Sequence, residues 1–332
     1  MPLPPFLRSQ ERLRKEAGAF LIDSFFAGLS RVGRLHPQAD PRRHGIEVQR
    51  DVPYRASGLR EHTLDVYRPR DARGLGPAVL YVHGGGFRIL SKDTHWIMAL
   101  AFARRGYTVF NMSYRLAPRD PFPAAIEDVC AAYTWLAQHG ERYGADMQQL
   151  VLAGESAGAN LVTALTLATC WPRAEPWAQE VFATGLVPLA TIPACGMLQV
   201  SDPGRMRRRK PNLSQFVDDR LAEVSENYLS GKAPADPRTM ELADPLVTLE
   251  HAGKPARPLP AFFAAVGTRD PLLDDTRRLH VAVQRLGGVS EARYYQGEMH
   301  AFHALVFRPN AQQCWRDTFA FLDRHAPAGR PA

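Results

Sequence analysis

The sequence predicts an α/β fold in which a mostly parallel sheet is flanked by helices, with an insertion that reads as a lid. Three observations predict it. Between about residues 77 and 170, short apolar runs of buried-strand type alternate with helical stretches, the pattern of parallel strands joined by crossover helices. Two of those strand-like runs end in glycine-bearing loops, at Gly84–Gly86 and at Gly154–Gly158. The alternation lapses between Cys195 and roughly Arg257, then resumes towards the C-terminus.

Each element has its own signature. Ala17–Leu29 (AGAFLIDSFFAGL) crowds apolar residues at helical spacing, with Arg14, Arg31 and Arg34 flanking it. It reads as a helix lying over the protein's own pocket rather than an interfacial anchor. Residues 36–44 form a linker, followed by extended segments at Gly45–Tyr54 and His62–Tyr67. Pro77–Val82 is a buried-strand run; a helix near Thr94–Arg105 leads to a second such run, Tyr107–Met112. Phe122–His139 is an amphipathic helix with Pro123 at its start, where a missing N–H costs nothing. Leu150–Ala153 is a strand and Ala157–Thr169 a helix. Beyond the lapse, which holds a helix at Asp218–Tyr228, come a strand at Ala261–Val266 and a helix at Leu272–Leu286. A strand at Ala292–Tyr295 and a helix near Ala311–Arg324 end the chain.

Composition excludes several classes. With 332 residues and 45% hydrophobic content, the chain can bury a sizeable core and is not disordered as a whole. Cys130, Cys170, Cys195 and Cys314 are widely spaced and form no CxxC pair, so no disulfide scaffold, zinc motif or redox motif stands out. Reduced thiols in a cytoplasmic protein are the expectation. The net charge of +7 comes from basic residues spread along the chain, 36 Arg against 5 Lys, a skew that points to genome composition. No nucleic-acid module accompanies it, and no nucleic-acid partner is expected. The one dense cluster, Arg205, Arg207, Arg208, Arg209 and Lys210, reads as a solvated loop rather than a patch for an acidic partner. No segment has the apolar length of a membrane span, and the start lacks the features of a secretory signal.

Gly154-Glu155-Ser156-Ala157-Gly158 fits G-x-S-x-G between a strand and a helix, the context of a nucleophile elbow. Such a turn is tight, needs its glycines and pushes the serine hydroxyl out above the sheet. His83-Gly84-Gly85-Gly86-Phe87 follows another strand, and its glycines leave backbone N–H groups free to converge on an oxyanion. A phosphate loop is excluded, since neither G-x-G-x-x-G nor the Walker lysine is present. His83 itself reads as a brace for the loop. A nucleophilic serine needs a base and the base an orienting acid. Asp270 and His300 each follow a strand's C-terminal end, where such sheets place their ligands. His303, Asp274 and Asp275 are their rivals.

Together HGGGF at 83–87, YRLAPRDPFPAAIED at 114–128, GESAGAN at 154–160, DPLLDD at 270–275 and MHAFH at 299–303 resemble the hormone-sensitive-lipase-like esterases, the bacterial family IV carboxylesterases. That resemblance implies the α/β-hydrolase fold and a serine esterase acting on short- to medium-chain acyl esters without metal or organic cofactor. It makes Ser156 the nucleophile, Asp270 the acid and His300 the base, with the N–H groups of Gly85, Gly86 and Ala157 as oxyanion hole and Gly84 needed for the turn. It also implies a cap made of residues 1–50 and 195–257, over a core of 51–194 and 258–332. Three positions depart from the family pattern: Glu155 where Asp is usual, Ala159 where a second glycine is common, and Ala301 in place of the glycine of His-Gly-Phe. An amide or formamide hydrolase would use the same residues. A non-catalytic receptor on this fold, as in the plant gibberellin receptors, would lack the working histidine. Membrane association is not expected, and the oligomeric state is left open between monomer and homodimer.

Overall fold

The computed structural model describes residues 18, 24, 28, 30–72, 74–230 and 240–327. Eight strands form one sheet in the order β1-β2-β4-β3-β5-β6-β7-β8. They are β1 (Ile46–Pro53), β2 (Thr63–Pro69), β3 (Gly76–Val82), β4 (Thr108–Met112), β5 (Ala145–Glu155), β6 (Ala190–Ala194), β7 (Ala261–Gly267) and β8 (Ser290–Tyr295). β1 pairs antiparallel with β2, and β2 with β4; every other neighbouring pair is parallel. β3, β4 and β7 are apolar almost throughout because helices cover both faces there.

The helices are α1 (Trp96–Ala103), α2 (Ala124–His139), α3 (Ala157–Cys170), α4 (Pro176–Ala183), α5 (Arg205–Arg209), α6 (Gln215–Tyr228), α7 (Pro245–His251), α8 (Leu273–Arg285) and α9 (Pro309–His325). They divide the core into two layers. α2, α3 and α8 bury Val129, Leu161, Leu165 and Leu279 on one face of the sheet. On the other, Phe102 and Trp96 of α1 and Phe321 of α9 pack with Val79, Val109 and Phe263. α3 is buried along its whole length, which explains its small and aliphatic residues all round.

Within the 170–195 stretch the structure adds α4 and β6, which the sequence reading passes over. β6 is only five residues, ATIPA, and contains Pro193, which argues against a central strand on sequence grounds. In the lapse between Cys195 and Arg257 the described residues carry α5, α6 and α7, the last packed against α3 and α8. Of Ala17–Leu29 only Gly18, Ser24 and Gly28 are described. The other residues of that segment, including Phe20, Leu21, Phe25, Phe26 and Leu29, lie outside the described residues. No helix among the described residues is long and apolar enough to cross a membrane.

The basic cluster is a short helix rather than a loop, with Arg208, Arg209 and Lys210 exposed. Its arginines form α5, and each finds an acid: Arg207 pairs with Asp218 at 2.9 Å, Arg208 with Asp202 and Arg209 with Asp274. Arg205 is buried and meets Asp275 at 2.6 Å, while Asp275 also accepts the Leu198 N–H at 2.9 Å. Asp274 and Asp275 come from a distant part of the chain, so local charge density cannot reveal those two pairings. Removing one half of a buried pair leaves the other uncompensated, at a cost of about 3–5 kcal/mol. Arg205→Met is expected to destabilise the protein by that amount in denaturant unfolding; a loss under about 1 kcal/mol would show that the pair is dispensable.

Candidate active site

The site lies at the C-terminal ends of β3, β5, β6, β7 and β8. Ser156 sits between β5 and α3 at φ 55° and ψ −114°, a left-handed strain that a non-glycine residue adopts only when its surroundings enforce it. The enforcement is visible. A Cβ on Gly154 would lie 2.7 Å from Val82 O, and one on Gly158 would lie 2.0 Å from that oxygen. The N–H of Ser156 donates to Ala194 O and its carbonyl accepts from Met197 N–H. Close packing of β3 against the elbow therefore turns the hydroxyl outward.

There Ser156 Oγ lies 3.0 Å from His300 Nε2, and His300 Nδ1 lies 2.9 Å from Asp270 Oδ2. The Asp270 side chain is 0% exposed and that of His300 is 36% exposed. The other Asp270 oxygen accepts the Leu272 N–H at 2.8 Å, which fixes the carboxylate at the β7–α8 junction. Burial disfavours the His300 imidazolium, but the charge and hydrogen bond of Asp270, joined by Cys195, more than offset it and hold the imidazole well above its usual range. A hydroxyl, an imidazole and a buried carboxylate in this order can relay a proton away from an attacking oxygen.

None of the rivals joins this chain. His303 is buried beside Trp315 and Phe302, and burial holds it down at about 4. Asp274 pairs with Arg209, and Asp275 with Arg205.

The glycine loop lies beside the serine. Gly85 and Gly86 have φ of 108° and 59°, conformations that side chains resist. Their N–H groups donate to no protein acceptor among the described residues. Ala157 opens α3, where the first N–H groups have no helical partner. Gly84 is required for another reason than a turn: its N–H donates to Glu155 Oε1 at 2.7 Å, and a Cβ would come within 2.9 Å of Glu155. His83 braces, as expected. It stacks on Tyr114 at 4.2 Å, its Nδ1 lies 2.7 Å from Gly84 O, and burial lowers it to about 3.

Sequence reasoning misses three participants. Glu155 reads there only as a departure from the family pattern, yet its buried carboxylate holds the loop. Besides Gly84 it accepts the Tyr81 hydroxyl and meets His95 Nε2 at 2.6 Å. His95, on the far side of the loop, carries no local signal. Cys195, read as a bland thiol, sits at φ 39° just after β6, with its side chain beside His300 and Asp270. Ala301 takes φ 55°, where the family's usual glycine would be at ease.

Ser156, His300 and Gly84–Gly86 open into a cavity of about 1020 Å³. Its mostly apolar wall includes Leu221 and Val224 of α6, Ile97 and Met98 of α1, and Trp315 and Phe319 of α9.

A family model described as the α/β hydrolase fold matches residues 79–304. The acetyl esterase of Salmonella schwarzengrund (strain CVM19633) is 30% identical over 242 residues, 72% of this chain and 69% of that one. The chain spans 64–69% of the length of the Salmonella acetyl esterases it matches. Among solved structures, a mutant esterase is 27% identical with a TM-score of 0.68, covering 85% of each chain. An esterase from the bacterial hormone-sensitive lipase family is 24% identical with a TM-score of 0.71, covering 98% of this chain and 100% of that one.

The Glu155–His95 pair makes a pH-dependent prediction. Burial would raise Glu155, but His95 and the hydrogen bonds prevail and lower it from 4.5 to about 2. Its stabilisation is present above pH 4.5 and lost as pH falls towards 2. Burial would lower His95, but Glu155 prevails and raises it from 6.5, so its stabilisation is full below 6.5 and lost as pH rises through the raised value. Glu155→Gln should therefore cost about 3–5 kcal/mol near pH 6 and less at pH 3, measured by denaturant unfolding at both values. A cost that grows on acidification contradicts the assignment. The chain belongs to the α/β-hydrolase fold family.

Proposed function

We propose that this enzyme hydrolyses short- to medium-chain acyl esters through an acyl-enzyme, with Ser156 as nucleophile, His300 as base and Asp270 as the acid that orients it. Ser156 Oγ attacks the ester carbonyl while His300 Nε2 takes its proton. Asp270 keeps the Nδ1–H tautomer in place and stabilises the imidazolium that forms. The N–H groups of Gly85, Gly86 and Ala157 stabilise the oxyanion. His300 returns the proton to the leaving alcohol, and water releases the acyl group by the same route. The observation that carries this reading is the 3.0 and 2.9 Å hydrogen-bond chain from Ser156 to Asp270, opening onto the cavity beside unpaired loop N–H groups.

The acyl preference rests on the apolar cavity wall and on the acetyl esterase relatives. Residues 195–257 and 1–50 are assigned to a cap over a core of 51–194 and 258–332; α6 lining the cavity supports this. A cytoplasmic location belongs to the same proposal, supported by four buried free thiols. An ester panel of graded acyl length with one matched amide tests the substrate class; faster amide turnover would replace this reading with the amidase one.

Ser156→Ala should lower kcat by about 10⁴–10⁶. His300→Ala should cost a similar factor and His303→Ala far less, while Asp270→Asn should drop kcat by about 10⁴ with binding retained. A Ser156→Ala protein keeping a tenth of wild-type activity would mean that another group attacks. Because the base must be neutral, kcat/KM should climb with pH along a limb centred above the ordinary imidazole value of 6.5. A limb centred below that value would show that Asp270 does not hold the imidazolium in the free enzyme.

A further inference from the structure

Cys195 has no step in the proposed chemistry, although its thiol lies against two groups of the relay. Sγ of Cys195, a carboxylate oxygen of Asp270 and a ring nitrogen of His300 all lie within 4.8 Å of one another. Among the described residues this is the one such group of three metal-ligating side chains. Cys195 and Asp270 are buried, and His300, 36% exposed, borders the cavity. Backbone holds the thiol in place: Cys195 N–H donates to Ala265 O at 2.8 Å, fastening it to β7, the strand that Asp270 follows.

We propose that Cys195, Asp270 and His300 form an inhibitory binding site for a thiophilic divalent cation, with Zn²⁺ as the type ligand. The donor set fits: thiolate, imidazole and carboxylate are the three side-chain ligands zinc takes, and three protein ligands with a water complete its tetrahedron. Bonds of about 2.0–2.3 Å place tetrahedral ligands roughly 3.5 Å apart, so His300 Nδ1 and Asp270 Oδ2, now at 2.9 Å, need only part slightly. On binding, the metal forms bonds to Sγ, Nδ1 and the carboxylate. The Cys195 thiol proton leaves to solvent, and the Nδ1 proton is replaced by the metal while one is taken up at Nε2. With its proton on Nε2 the imidazole cannot accept another from Ser156. The cation therefore stops turnover by fixing the wrong tautomer, without touching the substrate cavity. Its binding stands on geometry alone; its effect on turnover rests on the function proposed above.

The test uses the full-length protein in chelator-free buffer. Zn²⁺ should inhibit ester turnover, lowering kcat more than it raises KM, and excess EDTA should restore activity. Co²⁺ should give one equivalent of thiolate-to-metal absorption in the near ultraviolet. Ser156→Ala, with its three ligands intact, should give the same band; this arm reads the site even if the esterase reading fails. Cys195→Ala and Cys195→Ser, each referred to its own metal-free rate, should lose the band and need at least tenfold more Zn²⁺. Cys314→Ala should behave as wild type. A wild-type protein without the band, a band that survives both Cys195 variants, or equal Zn²⁺ sensitivity with and without Cys195 would each overturn the proposal.

Discussion

The Glu155 carboxylate is where two loops that have to meet are tied together. It stands at the end of β5, one residue before the strained Ser156, and reaches across to the Gly84 N–H at the end of β3. That bond, together with the contacts of Gly86, Phe87 and Arg88 to α6, sets the height of the glycine loop relative to the hydroxyl. A buried carboxylate is costly unless its lone pairs are satisfied, and here the Tyr81 hydroxyl, the Gly84 N–H and His95 satisfy them. The charge thus comes with its partners. The triad's own geometry, Ser156 to His300 to Asp270, is built on top of this arrangement.

Steric limits do the rest. Gly158 and Gly154 let the first turn of α3 and the end of β5 come against Val82 O, closer than any side chain allows. The same crowding holds Ser156 at positive φ. Gly85 is similarly locked, since a Cβ there would sit 2.1 Å from Ile89 O. Packing at this density resists small shifts, which is what a site needs if hydrogen bonds near 3 Å are to persist.

Much of this was legible in the sequence, for a physical reason. The elbow, the glycine loop and the strand ends bearing Asp270 and His300 are local patterns, each readable within about ten residues. What could not be read was pairing at a distance. Arg205 and Asp275 are 70 residues apart, and the run of arginines gives no hint of that pairing. Glu155 and His95 meet only because β3 and β5 are neighbours in the sheet. β6, at five residues with a proline, is too short and too irregular to stand out. The choice of His300 over His303 needs the fold as well: three residues apart, one faces Ser156 and the other is buried beside Trp315.

The segment between β6 and β7 is bound to the glycine loop residue by residue. Val224 of α6 presses on Gly86, where a Cβ would lie 2.7 Å from its Cγ2. Phe87 stacks on Tyr228 at 3.7 Å, and Arg88 pairs with Glu223. Three consecutive loop residues thus meet one helix, through a methyl, a ring and a charge. Leu221 and Val224 of that helix also line the cavity. Whatever moves α6 to admit or release a substrate must therefore move the loop or slide past it. Apolar packing around a buried ion pair favours the first, because parting Arg88 from Glu223 would leave the buried Glu223 with less compensation. The helix that lines the pocket and the loop proposed to hold the oxyanion are then one mechanical unit, so substrate shape and oxyanion geometry are coupled through the same contacts.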